Sequence, residues 1–367
     1  MKIRTIIRIV IRSVLTLLAT CTLIAGVYLT GNVTSHEWSD REARAAGFTE
    51  RRATVDGTRL NYAEGPDNGP ALLLIHGQMT SWQHWNRVLP ELAENYHVYA
   101  VDCHGHGGSA RTPERYNAVS MSADMHTFVT DVIGEPATVA GHSSGGLVAA
   151  HLAANAPELV RSVFLEDPPF FSSVLPRAKK TVNWVDLSTV AHRYLTDGHQ
   201  DTGPDFTEFY LRHTTNWELF EEAGKPLRTS MVAAYERNPD EPATLPYMPP
   251  VWNETFTALE SYDPAFGQTF YDSSFHDGFD HAETLAAIKV PAMLVHTNWQ
   301  YDDKGILLGA MNGADADRAR SLLPNGEFEK VDSGHGFHFE QPDRFVALMT
   351  KLESRTGNRA PRPNLQS

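Results

Sequence analysis

The sequence predicts an α/β protein whose mostly parallel sheet is covered by helices on both faces. Short, continuous apolar runs alternate with segments of helical spacing through most of residues 48–353, as is typical of parallel strands buried on both faces. One such run, residues 137–140, leads through a glycine-rich turn directly into a helix-forming segment. Between residues 168 and 285 the strand signals disappear, which indicates an insertion of a different kind.

Composition limits the classes of function. The chain has 367 residues, of which 41% are hydrophobic and 21% charged, ordinary values for a globular protein. A net charge of −14 argues against nucleic acid as a partner. Cys21 and Cys103 lie in very different surroundings, so no disulfide is expected. His104 and His106 lack a third ligand at suitable spacing, and we expect neither a metal nor a cofactor.

The N-terminus is a separate segment. Lys2, Arg4, Arg8 and Arg12 precede an uncharged run over residues 13–30, which is long enough to cross a bilayer. The basic flank predicts that residues 1–30 are an anchor whose N-terminal end stays cytoplasmic, with the remainder outside. A cleaved signal peptide, ending near residues 25–26, is the alternative. Residues 31–47 are predicted to be a polar linker.

Elements follow in order after residue 47. A hairpin is expected around Asp56-Gly57, a favourable turn sequence. Strands are predicted at residues 71–75, 96–101, 137–140, 161–165, 292–296 and 327–331, and the continuous apolar run at 71–75 is typical of a buried parallel strand. Helices are predicted at residues 82–94, 120–133, 147–154, 305–311, 315–322 and 341–353. The core therefore comprises residues 48–167 and 286–353, and residues 354–367 are predicted to be a disordered tail.

The insertion at residues 168–285 is predicted to be mainly helical. It is dense in aromatic residues, and prolines separate its short helical stretches.

The turn after residue 140 contains the pattern G-x-S-x-G, formed by Gly141, Ser143 and Gly145. A nucleophilic serine at such a turn needs a strained backbone, and side chains at the flanking positions would collide with the neighbouring strand and helix. Glycine is therefore required at both flanks. The following helix places its N-terminus, which favours negative charge, beside Ser143.

Several motifs occur together in one order along the chain. They are His76-Gly77 after a strand, the glycine-rich loop 102–109, residues 141–145, Val290-Pro291, Gly334-His335, and Glu340 two residues before Pro342. Over residues 50–353 this arrangement resembles the α/β-hydrolase superfamily, and specifically its lid-containing members with a serine nucleophile. The resemblance implies that the insertion is a lid over the site.

The resemblance also implies roles for individual residues. Ser143 matches the nucleophile and His335 the general base. The backbone N–H groups of Gln78 and Ser144 match the oxyanion hole. Serine at residue 143 disfavours the epoxide hydrolases and haloalkane dehalogenases of this fold, which attack with aspartate.

The acid of the triad is less clear, because Gln300 stands where the family usually has aspartate. Asp302 is the expected acid, since a slightly longer loop could bring it to His335. Asp303 is the second candidate. Asp167, which follows the preceding strand, is the third, because some relatives place the acid there.

These residues predict a membrane-anchored or secreted serine hydrolase that cleaves a carboxylic ester, thioester, lactone or amide through an acyl-enzyme. The aromatic lid indicates a small-molecule substrate with an apolar or aromatic part. Two alternatives remain: a non-catalytic binding module on the same fold, and a cofactor-free lyase or perhydrolase at the same site.

Overall fold

A computed structural model of the chain describes residues 3–197, 205–239 and 241–357. Its centre is an eight-stranded sheet with the strand order β1-β2-β4-β3-β5-β6-β7-β10, and β8 and β9 form a separate hairpin. The strands are β1 (Thr49–Val55), β2 (Thr58–Glu64), β3 (Ala71–Ile75), β4 (His97–Val101), β5 (Ala137–His142), β6 (Val160–Glu166), β7 (Ala292–His296), β8 (Gln300–Tyr301), β9 (Leu307–Leu308) and β10 (Gly326–Lys330). From β4 to β10 the sheet is parallel, and β2 is antiparallel to both of its neighbours. The predicted fold class is confirmed.

Helices cover both faces of this sheet. They are α1 (Ile3–Ala45), α2 (Leu89–Leu92), α3 (Ala118–Phe128), α4 (Ser144–Asn155), α5 (Thr189–Thr196), α6 (Phe206–His213), α7 (Gly224–Arg237), α8 (Pro250–Thr257), α9 (Pro264–Tyr271), α10 (His281–Ala287), α11 (Gly313–Leu322), α12 (Phe337–Glu340) and α13 (Pro342–Ser354). Short 3-10 and π segments join several of them, and the predicted helix 82–94 is a 3-10 turn at Trp82–Trp85 followed by α2.

The central strand β3 is apolar at every position because both of its faces are buried. Leu73 and Ile75 pack into the hydrophobic cluster that contains Leu147 of α4. Leu72 and Leu74 point to the opposite face, into the cluster that contains residues of α2 and α13. Because successive side chains of a strand alternate between faces, a strand covered on both sides needs apolar residues at every position.

The predicted insertion is helical. Among the described residues between β6 and β7, helices α5 to α10 and short helical turns make up the regular structure, with one isolated bridge between Thr181 and Leu307. Phe206 and Phe266 of the insertion belong to the same hydrophobic cluster as Leu73 of the sheet. The insertion therefore shares a core with the sheet.

Helix α1 corrects the expectation of a linker at residues 31–47, because it continues unbroken to Ala45. Its C-terminal part packs on α2 and α8, and Ala43 is fully buried. Tertiary packing of this kind stabilises a helix that local sequence alone would not. From residue 13 the helix is long and apolar enough to cross a membrane, and its most apolar window is not buried.

The segment 305–311, predicted as a helix, forms part of the β8–β9 hairpin instead. Asp302 Oδ1 accepts hydrogen bonds from the backbone N–H groups of Lys304 and Ile306, and Gly305 has a φ of 73°. An aspartate that bonds its own following backbone favours a turn over a helix. At the C-terminus α13 ends at Ser354, and residues 358–367 of the predicted disordered tail lie outside the described residues.

Candidate active site

Ser143 lies at the sharp turn between β5 and α4, with φ 54° and ψ −122°. Both flanking glycines are required sterically. A Cβ on Gly141 would lie 2.3 Å from the carbonyl oxygen of Gly145, and a Cβ on Gly145 would lie 2.3 Å from the carbonyl oxygen of Ile75. Contacts this close involve backbone that cannot move aside, so the turn tolerates only glycine at these positions. The strain at Ser143 is typical of a functional residue.

His335 lies between β10 and α12, and its Nδ1 donates a 2.8 Å hydrogen bond to Oδ2 of Asp167. Its side chain is 44% exposed. Desolvation lowers the pKa of His335, but its hydrogen bond to Asp167 and the negative charge there outweigh this effect, so the pKa lies above its ordinary 6.5. Since the carboxylate accepts at Nδ1, the proton of the neutral ring stays there and Nε2 keeps its lone pair.

Asp167 follows β6 directly and is buried, with the positive φ of 44°. Its Oδ2 also accepts a 2.6 Å hydrogen bond from the Thr297 hydroxyl. Burial raises the pKa of Asp167, but the interactions with His296, His335 and Thr297 outweigh it and hold the pKa far below its usual range. The carboxyl is therefore ionised and aimed at the imidazole.

The expectation that Asp302 meets His335 is wrong in this structure. Its carboxylate is occupied by Lys304 and Ile306 of its own turn, and Asp303 is exposed to solvent. Both belong to the hairpin, whereas the loop with His335 packs against the end of β6. Asp167, the third sequence candidate, occupies the position that Asp302 was expected to fill.

The loop with Gln78 is held by two buried histidines. His76 donates from Nδ1 to the carbonyl of Gly77 (2.7 Å) and accepts at Nε2 from the Cys103 N–H (2.9 Å). His106 accepts at Nε2 from the Met79 N–H, 3.1 Å away. Burial lowers the pKa of His76 to about 4 and that of His106 well below its ordinary value. Both rings therefore stay neutral and can accept these bonds.

Tyr262 connects this loop to the insertion. Gln78 donates from Nε2 to the Tyr262 hydroxyl at 2.9 Å. The supporting roles of Tyr262 and His106 are not predictable from the sequence, because nothing in their local sequence indicates a partner in this loop.

The predicted nucleophile, base and oxyanion-hole residues line one cavity of about 290 Å³. Gln78, Ser143, Ser144 and His335 all line it. Its remaining walls come largely from the insertion, including Val182, Asn183, Asp186, Leu187, Asn216 and Phe270. The insertion therefore forms much of the wall of the cavity that the serine and the histidine line.

A second buried network, which the sequence analysis did not find, lies beside His335. Glu166 accepts hydrogen bonds from the backbone N–H and Nδ1 of His338, at 3.0 and 2.8 Å. Burial raises the pKa of Glu166 to about 7 and lowers that of His338 to about 3. His142 Nε2 donates to the carbonyl of His335 at 3.0 Å. These contacts hold the backbone on both sides of His335.

Residues 72–348 match the sequence model of the alpha/beta hydrolase family. The chain belongs to this family. Among curated proteins, a soluble epoxide hydrolase of Corynebacterium sp. (strain C12) is 33% identical to this chain over 120 residues. That match covers 33% of this chain and 42% of the relative, so the chain spans less than half the length of the curated protein it matches.

Solved structures of the alpha/beta hydrolase fold align over more of the chain. A membrane phospholipase A has a TM-score of 0.57 at 22% identity, with 95% of this chain and 99% of that chain covered. The enol-lactonase from Burkholderia xenovorans LB400 has a TM-score of 0.56 at 19% identity, with 83% and 100% covered. At these identities the likeness shows the fold.

Proposed function

We propose that this alpha/beta hydrolase is a serine hydrolase that cleaves an ester-type bond through an acyl-enzyme. One observation carries the proposal: Ser143 lines the same cavity as His335, whose Nδ1 is held by the ionised Asp167. The nucleophile is thus an alcohol beside a base whose free nitrogen is an acceptor. The names of the enol-lactonase and the phospholipase fit ester chemistry, and a serine at the turn supports that assignment over the chemistry named for the soluble epoxide hydrolase.

In the proposed reaction, Ser143 Oγ bonds to the substrate carbonyl carbon while Nε2 of His335 takes the hydroxyl proton. The carbonyl oxygen becomes an oxyanion at the backbone N–H groups of Gln78 and Ser144. When the intermediate collapses, the bond to the leaving group breaks and His335 returns its proton to that group. Water then attacks the acyl-enzyme by the same steps, which releases the acid and restores Ser143.

Asp167 would hold the ring in the tautomer that keeps Nε2 free and stabilise the imidazolium that forms. It would remain ionised throughout, which agrees with its lowered pKa. Asp302 and Asp303 have no role in this scheme.

The cavity walls favour an uncharged substrate. Leu187, Val182 and Phe270 supply apolar surface, while the amides of Asn183 and Asn216 can bond a neutral polar group. The carboxylate of Asp186 already accepts hydrogen bonds from Tyr210, Thr214 and Thr215. We therefore infer an ester or lactone with an apolar portion and no negative charge near the reacting carbonyl.

We further propose that α1 is an uncleaved membrane anchor with the hydrolase domain on the extracytoplasmic side. The four basic residues before Ser13 favour this orientation. The continuation of α1 into the packed domain supports retention of the helix. Mass spectrometry of the mature N-terminus tests it: a chain that starts near residue 26 would show cleavage.

Labelling with a fluorophosphonate probe tests the catalytic proposal. We expect the wild-type protein and Ser144→Ala to be labelled, since Ser144 is assigned only a backbone N–H, and Ser143→Ala to be unlabelled. Equal labelling of Ser143→Ala would show that the nucleophile is assigned wrongly. A wild-type protein that is neither labelled nor active on a panel of esters would indicate a binding module.

Isotope incorporation separates hydrolysis from the lyase and perhydrolase alternatives. In ¹⁸O-labelled water, hydrolysis places solvent oxygen in the acid product. Product without that label would contradict the acyl-enzyme hydrolysis proposed above.

A further inference from the structure

The proposed anchor continues without a break into the part of α1 that contacts the lid. The uncharged run at residues 13–30 has 18 positions in one continuous helix, which at 1.5 Å per residue spans about 27 Å. This nearly matches the ~30 Å hydrocarbon core of a bilayer. With that run across the membrane, residue 32 lies about 3 Å beyond the hydrocarbon edge, within the headgroup layer.

At this depth the lid contacts α1. Asn32 is only 4% exposed, and its Nδ2 donates a 2.9 Å hydrogen bond to the carbonyl of Pro246. Asn253, also buried, donates from Nδ2 to the carbonyl of Asn32 at 3.1 Å. α1 and the lid are therefore joined by two hydrogen bonds, one donated by each of these asparagine side chains.

Asn253 also fixes the turn that precedes α8. Its Oδ1 accepts from the N–H of Leu245 at 3.0 Å, and its Nδ2 lies 3.1 Å from the Leu245 carbonyl. The carbonyl of Met248 is 3.4 Å from the same nitrogen. The segment 245–248 therefore has a set position relative to Asn32, and so to the proposed span.

Pro246 and Tyr247 are the exposed residues of this turn. Tyr247 is 50% exposed, whereas Leu245 and Met248, at the two ends of the turn, are buried. An exposed tyrosine with an apolar ring and a polar hydroxyl is well suited to the membrane–water interface, where tyrosine is enriched. At headgroup depth, the exposed ring of Tyr247 would contact phospholipid headgroups.

We propose that the lid segment 245–248 is a membrane-contact surface, in which Tyr247 enters the phospholipid headgroup layer beside α1. This inference rests on the proposed anchor. It places one part of the lid against the bilayer, so that the position of the lid over the cavity is tied to the membrane surface.

Depth-dependent quenching in phosphatidylcholine nanodiscs tests this surface on the full-length protein. Three proteins each carry one accessible thiol labelled with a fluorophore: the native Cys21, Cys21→Ser/Tyr247→Cys, and Cys21→Ser/Tyr301→Cys. Cys103 is buried and stays unlabelled. Tyr301 is the matched control, since it is 49% exposed and lies on the β8–β9 hairpin of the core. The nanodiscs contain lipid with a nitroxide either on the headgroup or midway along an acyl chain.

We expect the label at Cys21 to be quenched more strongly by the chain nitroxide, and the label at residue 247 at least twofold more strongly by the headgroup nitroxide. The label at residue 301 should be quenched by neither. Quenching at Cys21 with none at residue 247 would overturn the proposed lid surface while leaving the anchor intact. No quenching at Cys21 would instead overturn the anchor, and with it the surface. Neither outcome depends on turnover, so the catalytic proposal is tested separately.

Asn253→Ala in the Tyr247→Cys protein provides a second measurement. Loss of the contact with Asn32 should weaken headgroup quenching at residue 247. Unchanged quenching would show that the two asparagines do not set the depth of the lid.

Discussion

Nδ1 of His335 lies 2.8 Å from Oδ2 of Asp167, although the two residues are 168 positions apart. The bond joins the end of β6 to the loop after β10, two strands that are separated in the sheet by β7 alone. Thr297, just after β7, donates to the same carboxylate oxygen. The carboxyl ends of three strands therefore meet at one group, as expected at the reactive edge of a parallel sheet.

Asp167→Asn should reduce kcat by about 10⁴-fold on an activated ester, because the amide would favour the tautomer of His335 with its proton on Nε2. Asp302→Asn is the matched control and should keep kcat within about twofold, since Asp302 only caps its own turn. Steady-state kinetics on both variants measure this. The opposite result, with Asp302→Asn inactive and Asp167→Asn active, would restore the original expectation.

The pH dependence of the reaction should report His335. Only the neutral imidazole can take the proton of Ser143, so kcat/KM should rise with pH through a pKa above the ordinary 6.5. In Asp167→Asn the imidazolium of His335 loses both the hydrogen bond to a carboxylate and the attraction of its negative charge, which together raise the pKa in the wild-type protein. The rise of the residual kcat/KM should therefore move to lower pH. A profile with the same midpoint in both proteins would show that Asp167 does not set the pKa of the base.

Gly145→Ala should destabilise the protein by at least about 1–3 kcal/mol, because the new Cβ would overlap the carbonyl oxygens of Ile75 and His76. Gly336→Ala serves as the control: its Cβ would meet only the Cβ of Phe339, at 3.7 Å, so we expect little change. Thermal unfolding in detergent compares the two. Equal melting temperatures would mean that the turn can open to accept a methyl group.

His106→Phe should lower kcat about tenfold or more with a smaller effect on KM. The phenyl ring is somewhat larger than the imidazole and cannot accept from the Met79 N–H, and a buried donor left without a partner costs about 1–3 kcal/mol. The loop that presents the Gln78 N–H would then lose its fixed position. His151→Phe, in α4, is a control for replacement of a histidine ring, and an equal loss of kcat there would contradict a specific role for His106.

Much of this protein follows from its sequence because the causes are local. The turn at Ser143 needs glycine at residue 141 for a local steric reason, because a Cβ there would meet the carbonyl oxygen of Gly145, four residues away. Apolar runs of strand length identified the buried strands in the same way. The uncharged run at residues 13–30 likewise predicts a helix able to cross a membrane from its length and composition alone.

Only the tertiary structure shows which carboxylate bonds His335, because that depends on where each carboxylate points and on which other groups bond to it. Asp167 follows β6 and Asp302 lies in the segment after β7, the neighbouring parallel strand, so strand order could not separate them. Thr297 turns Asp167 toward His335, while two backbone N–H groups hold Asp302 in its hairpin. The support of Met79 by His106 and the contact of Asn32 with the lid are of the same kind: each joins residues that only the folded chain brings within hydrogen-bonding distance.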